Sequence, residues 1–396
     1  MATYINQDEA IIERYRAKYR LQDFSFRLLD VIAHPFAVTR RAHSAIDKAS
    51  IKKVLIANGG HIGDVVMSTA LLPLLHQAMP GVSIGFLTGT YSNKVVENHP
   101  YISRVHLLDH WYLTRSDGNK LQLFRKFHHQ AAQVVRELEA EKYDLAIDLR
   151  AWFPNFIPIL HKAKIPIRVG YDRVGGVTRL THSYPYRYDR RHELDHQLDL
   201  LESLNLDPAL MKKAWPCLPN GILIETGNVP ALREMAGNFC ILHPASSTPT
   251  RDWPSRNWIG LAQRLVEEGT VPVITGRGSR DAVIAEEIAS AVPSAINLCN
   301  KLSWEDLLDV IRKANAVYSV ETSIGHIASA LGRPVISIYG GMADPQHWAP
   351  LGARVVTNLT PCHPCFRKEG CSHRLCLTGI TVDQVARARG TSVSDP

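Results

Sequence analysis

The sequence predicts an α/β protein made of two doubly wound, Rossmann-like units that face a central cleft. Three observations predict it. From Lys53 onward, short continuous apolar runs alternate with helix-length amphipathic stretches, the pattern of parallel strands covered on both faces by helices. The alternation is interrupted by a link punctuated with Pro216, Pro219, Gly221, Gly227 and Pro230, and then restarts. The chain of 396 residues also exceeds what one ordinary α/β core holds.

Residues 1–50 read as a helical N-terminal extension. Charges from Asp8 to Arg20 alternate with Ile11, Ile12, Tyr15 and Tyr19, and Phe24, Phe26, Leu28, Leu29, Val31 and Ile32 add an apolar surface. That surface is expected to pack onto the units, with a membrane-facing or oligomer-forming role as the sharper alternative. Residues 51–225 read as the first unit, with strands at 54–57, 82–87, 105–108 and 145–148 and helices at 65–79 and 121–142. Residues 226–360 read as the second. Its expected strands lie at 239–243, 271–275, 316–320 and 335–339, and its helices at 258–268, 281–291, 303–314 and 324–331. Ser303 with Asp306 has the spacing of a capping box. Residues 361–396 form a cysteine-rich segment and tail.

Apolar residues make up 45% and charged residues 21%, as in soluble globular proteins. No apolar stretch approaches the roughly 20 residues of a membrane span. The N-terminus lacks the basic-then-apolar order of a secretion signal, so a cytoplasmic protein is expected. The net charge is +7. Between His161 and Arg191 stand eight Lys/Arg against Asp172 and Asp189, an excess of six. This segment suits either a solvated face or a docking surface for an anionic partner. No recognition-helix, RNA-binding or zinc-finger pattern supports nucleic acid as that partner.

Four loops at strand carboxyl ends carry candidate chemistry, the place where open α/β sheets bind ligands. The first, Asn58-Gly59-Gly60-His61-Ile62-Gly63-Asp64, is a glycine-bent turn into a helix with one carboxylate at the helix start. Asp64 there is either a helix cap or a catalytic base. The second runs from His243 to Pro254 and offers Ser246, Ser247, Thr248 and Arg251 to a phosphate. The third, Thr275 to Asp281, has a Gly-x-Gly too short to claim a nucleotide. The fourth, Glu321-Thr322-Ser323-Ile324-Gly325-His326, puts an acid, two hydroxyls and a helix start together.

Taken together these loops resemble glycosyltransferase family 9, the ADP-heptose heptosyltransferases of lipopolysaccharide core assembly. The likeness runs from about Lys53 to Cys376. It rests on Gly63-Asp64-Val65, on Pro244-Ala245 through Arg251 to Trp253-Pro254, on Glu321 to His326, and on Gly332-Arg333-Pro334 to Tyr339-Gly340. The resemblance implies the GT-B architecture and inverting transfer from a nucleotide-sugar donor to an anionic glycan or glycolipid acceptor, with no metal in the chemistry. It implies Asp64 as general base and Arg251 opposite the departing phosphates. Ser246, Ser247, Thr248, Glu321, Thr322, Ser323, Gly325 and His326 would serve the donor. Gly63 and His61, with Arg168 and Arg173 from the basic segment, would serve the acceptor. Three positions depart from the family pattern: Arg251 where Lys is usual, Glu321 where Asp is usual, and Ser323 where Gly is usual. A lipid-borne acceptor would bring the protein to the inner membrane as a peripheral partner.

Cys362, Cys365, Cys371 and Cys376 crowd together, whereas Cys217, Cys240 and Cys299 are isolated. In a cytoplasmic chain the cluster suits a tetrahedral zinc or iron before disulfides. The segment resembles the Cys-x-Pro-Cys-Phe of heptosyltransferase relatives, some of which hold iron there. Such a metal would be structural. The competing functions are a protein heptosyltransferase, a nucleotide-sugar epimerase of the same architecture, and a metal-dependent scaffold without activity. A nicotinamide oxidoreductase is weaker still, because no Gly-x-Gly-x-x-Gly follows the first strand.

Overall fold

The computed structural model describes residues 8–16, 24–25, 45–113, 119–173, 175–219, 238–367 and 369–389. The chain divides into two units, Met1–Pro219 and Asn220–Pro396.

In the first unit the strands are β1 (Lys53–Ala57), β2 (Ser83–Thr88), β3 (Arg104–Leu107), β4 (Leu145–Asp148), β5 (Ile167–Tyr171) and β6 (His182–Tyr184). They form one parallel sheet in the order β3-β2-β1-β4-β5-β6. The order reverses direction between β1 and β4, which opens a crevice at their carboxyl ends. One face packs on the helix Lys120–Glu141, whose Val134 and Leu138 meet Leu55, Ala57 and Ala146 of the sheet. That helix starts at Asn119, which forms a capping box with Gln122.

The expected single helix at 65–79 is two, Ile62–Ser68 and Leu71–Ala78. Pro73 has no N–H to give the carbonyl of Thr69, and the Thr69 hydroxyl bonds instead to the Val66 carbonyl at 2.6 Å. Residues 8–16 are helical, and Ile11 and Tyr15 are buried. Tyr15 stacks on Tyr188 with ring centroids 3.7 Å apart. Ile12 is half-buried and Phe24 is exposed, and the other apolar residues expected to dock the extension lie outside the described residues.

The second unit repeats the plan. Its strands are β7 (Phe239–His243), β8 (Val271–Ile274), β9 (Ile296–Asn297), β10 (Ala316–Val320), β11 (Val335–Tyr339) and β12 (Arg354–Thr357). Their order β12-β11-β10-β7-β8-β9 is that of the first sheet read from its other edge. Here the reversal falls between β7 and β10. Trp258, Leu261 and Leu265 of the helix Ser255–Glu267 fill the core with Leu242, Ile274 and Tyr318. The helix Trp304–Lys313 starts at the Ser303–Asp306 capping box that the sequence predicts.

The cysteine-rich segment belongs to this core. Leu377, Ile380 and Val385 are buried in it, and the Trp253 indole N–H donates to the Ile380 carbonyl at 3.0 Å.

Candidate active site

β1 ends at Ala57, and the turn that follows is held from inside. The buried Asn58 amide donates to the Ser68 hydroxyl at 2.7 Å, and its oxygen accepts the Gly60 N–H at 2.9 Å. Ser68 in turn donates to the Asp64 carbonyl at 2.9 Å. These bonds set the start of the helix Ile62–Ser68, with His61 as its N-cap and Gly63 in its first turn.

Asp64 Oδ2 accepts the His61 N–H at 2.8 Å, so the residue does cap the helix. The same oxygen lies 3.7 Å from Nη1 of Arg150. Oδ1 has no hydrogen bond among the described residues, and the side chain is 25% exposed. One carboxylate oxygen is therefore fixed by the fold while the other stands open. Cap and base are compatible functions of a single group.

Arg150 follows β4, on the other side of the sheet's reversal. The buried Asp148 at the end of β4 accepts the Arg150 N–H at 3.1 Å and the Phe156 N–H at 2.6 Å, which folds the loop back. Burial pushes the Asp148 carboxyl up to about 6, against the pull of those two N–H groups. Arg150 Nε donates to the Pro154 carbonyl at 2.9 Å. Sequence reasoning missed Arg150. It belongs to no motif, and only the β1–β4 pairing brings it to Asp64 across 86 positions.

A cavity of about 280 Å³ opens beside the turn, lined by Gly60, His61, Tyr91, Asp109, His110 and Leu113 among others. Asp109 organises one wall by accepting the Thr90 N–H at 2.8 Å and its hydroxyl at 2.7 Å. Burial first, then the charges of Arg150 and His128, push His110 down to about 4, so its imidazole is neutral near pH 7.

The two arginines expected at the acceptor have other employment. Arg168 donates through Nε to the Arg179 carbonyl at 2.6 Å and through Nη1 to the carbonyls of Ile165 and Pro166. Arg173 is 7% exposed, with its guanidinium 4.0 Å from the Trp152 ring centroid and further contacts to Tyr186 and Tyr15. Lys and Arg stems pack well on apolar surface, and here the Arg173 head is held inside as well, while Arg168 is half-buried.

In the second unit the loops after β7 and β10 meet in the same way. Ser246 donates its N–H and hydroxyl to Asp252, at 3.0 and 3.1 Å, and Arg280 pairs with Asp252 and with the Ser246 carbonyl. Thr248 donates its N–H to the Ser246 hydroxyl at 3.3 Å, while Ser247 is exposed. Arg251 Nη2 lies 3.0 Å from Oε1 of Glu321. Among the described residues, Arg251 Nε and Glu321 Oε2 are buried without a hydrogen-bond partner, a cost that a polar ligand would relieve. Burial pushes the Glu321 carboxyl up, and Arg251 opposes it. Thr322 is the N-cap of the helix Ser323–Ala330, which carries Gly325 and His326 in its first turns. A Cβ at Gly325 would meet Pro350 at 2.8 Å, so the residue is small for packing.

Two of the clustered cysteines, Cys365 and Cys376, lie at Gly341, and the segment touches the Arg251 loop. Gly341 gives its N–H to Cys376 Sγ at 3.3 Å and accepts the Cys365 N–H at 2.7 Å. Arg374 donates to the Pro249 carbonyl at 2.7 Å. Cys362 and Cys371 are exposed. Among the described residues no group of three or more His, Cys, Asp or Glu is placed to hold a metal ion. The four thiols expected to hold zinc or iron, Cys362, Cys365, Cys371 and Cys376, are not brought together as such a set among the described residues.

Residues 131–375 match the sequence profile of glycosyltransferase family 9 (heptosyltransferase). Lipooligosaccharide heptosyltransferase 2 of Haemophilus influenzae is 24% identical over 313 residues, covering 75% of this chain and 86% of that protein. Among solved structures, a glycosyl transferase family 9 protein of Veillonella parvula superposes with a TM-score of 0.68 at 19% identity, covering 88% of this chain and 98% of that one. The E. coli ADP-heptose lipopolysaccharide heptosyltransferase II gives 0.66 at 20%, covering 85% and 97%. At such identities the structural likeness carries the fold alone.

Proposed function

The chain belongs to glycosyltransferase family 9 and is a glycosyltransferase, and from that premise we propose that it transfers heptose, or a closely related sugar, from an ADP-sugar to an anionic acceptor of the lipopolysaccharide core, with inversion. The observation that supports this reading best is Asp64: one oxygen locked by the helix start, the other open, at the switch point of its sheet.

In the proposed step Asp64 Oδ1 accepts the proton of the acceptor hydroxyl. The hydroxyl oxygen bonds to the anomeric carbon from the face opposite the leaving group. The bond from that carbon to the diphosphate oxygen breaks, and its electron pair leaves with the nucleotide. A positioned base of this kind contributes about 10²–10⁴-fold in rate. Arg251 would meet the charge that develops on the diphosphate, a role fixed cations fill well in a site closed to water. To do so it turns N–H groups from Glu321 toward the ligand, and its Nε, without a hydrogen-bond partner among the described residues, gives it a donor to offer.

The test is transfer from ADP-heptose to a heptose-deficient core glycolipid, read by mass spectrometry, with Asp64→Asn as the control. The variant should lose transfer by at least about 10²-fold while calorimetry still finds ADP bound. Full activity in Asp64→Asn would sink the base assignment. Conversion of the sugar nucleotide without any acceptor would instead favour the epimerase reading.

A further inference from the structure

The geometry points to Arg150 as the positioning residue for Asp64, the group that holds the carboxylate in the rotamer that presents Oδ1. This rests on the proposed reading of Asp64 as base and adds a residue that neither the sequence motifs nor the family likeness singles out. The guanidinium lies 3.7 Å from Oδ2 in a side chain only 11% exposed. It is itself anchored at both ends: Nε donates to the Pro154 carbonyl, and the backbone N–H is held by the buried Asp148. An arginine fixed in this way acts as a wall for its partner.

Gly60 shows how closely the pair is packed. A Cβ there would lie 2.4 Å from Asp64 Oδ2 and 2.7 Å from Arg150 Nη1. The turn therefore leaves the carboxylate and the guanidinium room for one arrangement against bare backbone. His61 N–H fixes Oδ2 from the helix side and Arg150 from the β4 side. With both directions closed, rotation about the Cβ–Cγ bond would break the hydrogen bond and the ion pair together. The second unit places an acid and an arginine across its own reversal, Glu321 after β10 and Arg251 after β7, at 3.0 Å. In the proposed reading the arginine there serves the ligand and the acid supports it; here the two exchange parts.

The test is steady-state kinetics of Arg150→Met and Arg150→Lys beside Asp64→Asn. A displacement of the order of 1 Å costs about 10²-fold, so Arg150→Met should lower kcat by about 10–100-fold. KM for donor and acceptor should stay within about threefold. Arg150→Lys keeps a cation within reach of Oδ2 and should recover at least half of that loss on a logarithmic scale. If the Met variant does not fold, the Lys variant carries the test, with kcat down less than about tenfold and KM unchanged. A wild-type kcat in Arg150→Met overturns the inference. So does a rise in acceptor KM at constant kcat, which would make Arg150 a substrate contact, and so does a Lys variant no better than Met, which would make it a loop anchor. Failure of the base reading is separate: it shows as transfer retained in Asp64→Asn, whatever Arg150 does.

Discussion

A buried carboxylate pays in desolvation, as Asp148 does despite the opposing charge of Arg150 and the backbone N–H groups it accepts. It is fully buried, and burial lifts its carboxyl from an ordinary 3.8 to about 6. The folded chain thus binds this proton more tightly than the unfolded chain. Stability from this group is fully present below about pH 4 and is lost as pH rises through about 6. The difference corresponds to about 3 kcal/mol, at about 1.4 kcal/mol for each pH unit. Asp148→Asn removes the titration and keeps one acceptor for the loop. Melting temperatures taken at intervals from pH 4 to 7 should therefore fall further in the wild type than in the variant, with the gap opening between 4 and 6 and flat above. Parallel curves for the two proteins would mean that Asp148 titrates at its ordinary value. The loop it pins carries Arg150, so the same residue links stability to the site.

At the scale of elements, the C-terminal segment is the part whose standing the structure changes most. Deleting residues 361–396 would strip Leu377, Ile380 and Val385 from the second core and leave the Trp253 indole N–H without its acceptor. Each buried aliphatic side chain contributes about 1.5–3 kcal/mol, and whole domains hold only about 5–15 kcal/mol. The truncated chain should lose cooperative unfolding of the second unit and be cut there by protease at low dose. A truncated protein that melts as the full chain does would contradict this. The sequence made the central strands legible because β1, β4, β7, β10 and β11 are continuous apolar runs buried on both faces. It hid β5 behind Arg168 and Gly170, and β6 behind the polar His182 and Ser183. The edge strands β9 and β12 are short and half-exposed, so their pattern is weak. Asp64 and Arg251 were legible from turn chemistry and charge. Arg150 and the Arg251–Glu321 pair were not, because strand order and not spacing brings them together.

For the whole molecule, the relevant quantity is a net charge of +7 and how much of it survives folding as a field. Within His161–Arg191, Lys164 pairs with Glu139, Arg190 with Asp8, and Arg191 with Asp189 and Asp199. Three of those acids, Glu139, Asp8 and Asp199, come from outside the segment and halve its excess of six. Arg168 donates to backbone carbonyls, and the Arg173 guanidinium packs on aromatic rings. What remains of the segment's charge is expected to act on an anionic acceptor at a distance, by steering, because Arg173 is buried and Arg168 is half-buried on backbone carbonyls. Steering is a matter of encounter rate and is screened by salt: the Debye length shrinks from about 10 Å at 0.1 M to about 3 Å at 1 M. Across that range kcat/KM for an anionic acceptor should fall by about 3–10-fold while kcat at saturation holds, since in the proposed step the chemistry at Asp64 follows capture. The same assay with a charge-neutral acceptor analogue should be nearly indifferent to salt. If both acceptors respond alike, salt acts on the fold or on the donor diphosphate. The surplus of positive charge is then unrelated to acceptor capture, and the basic segment is a solvated face.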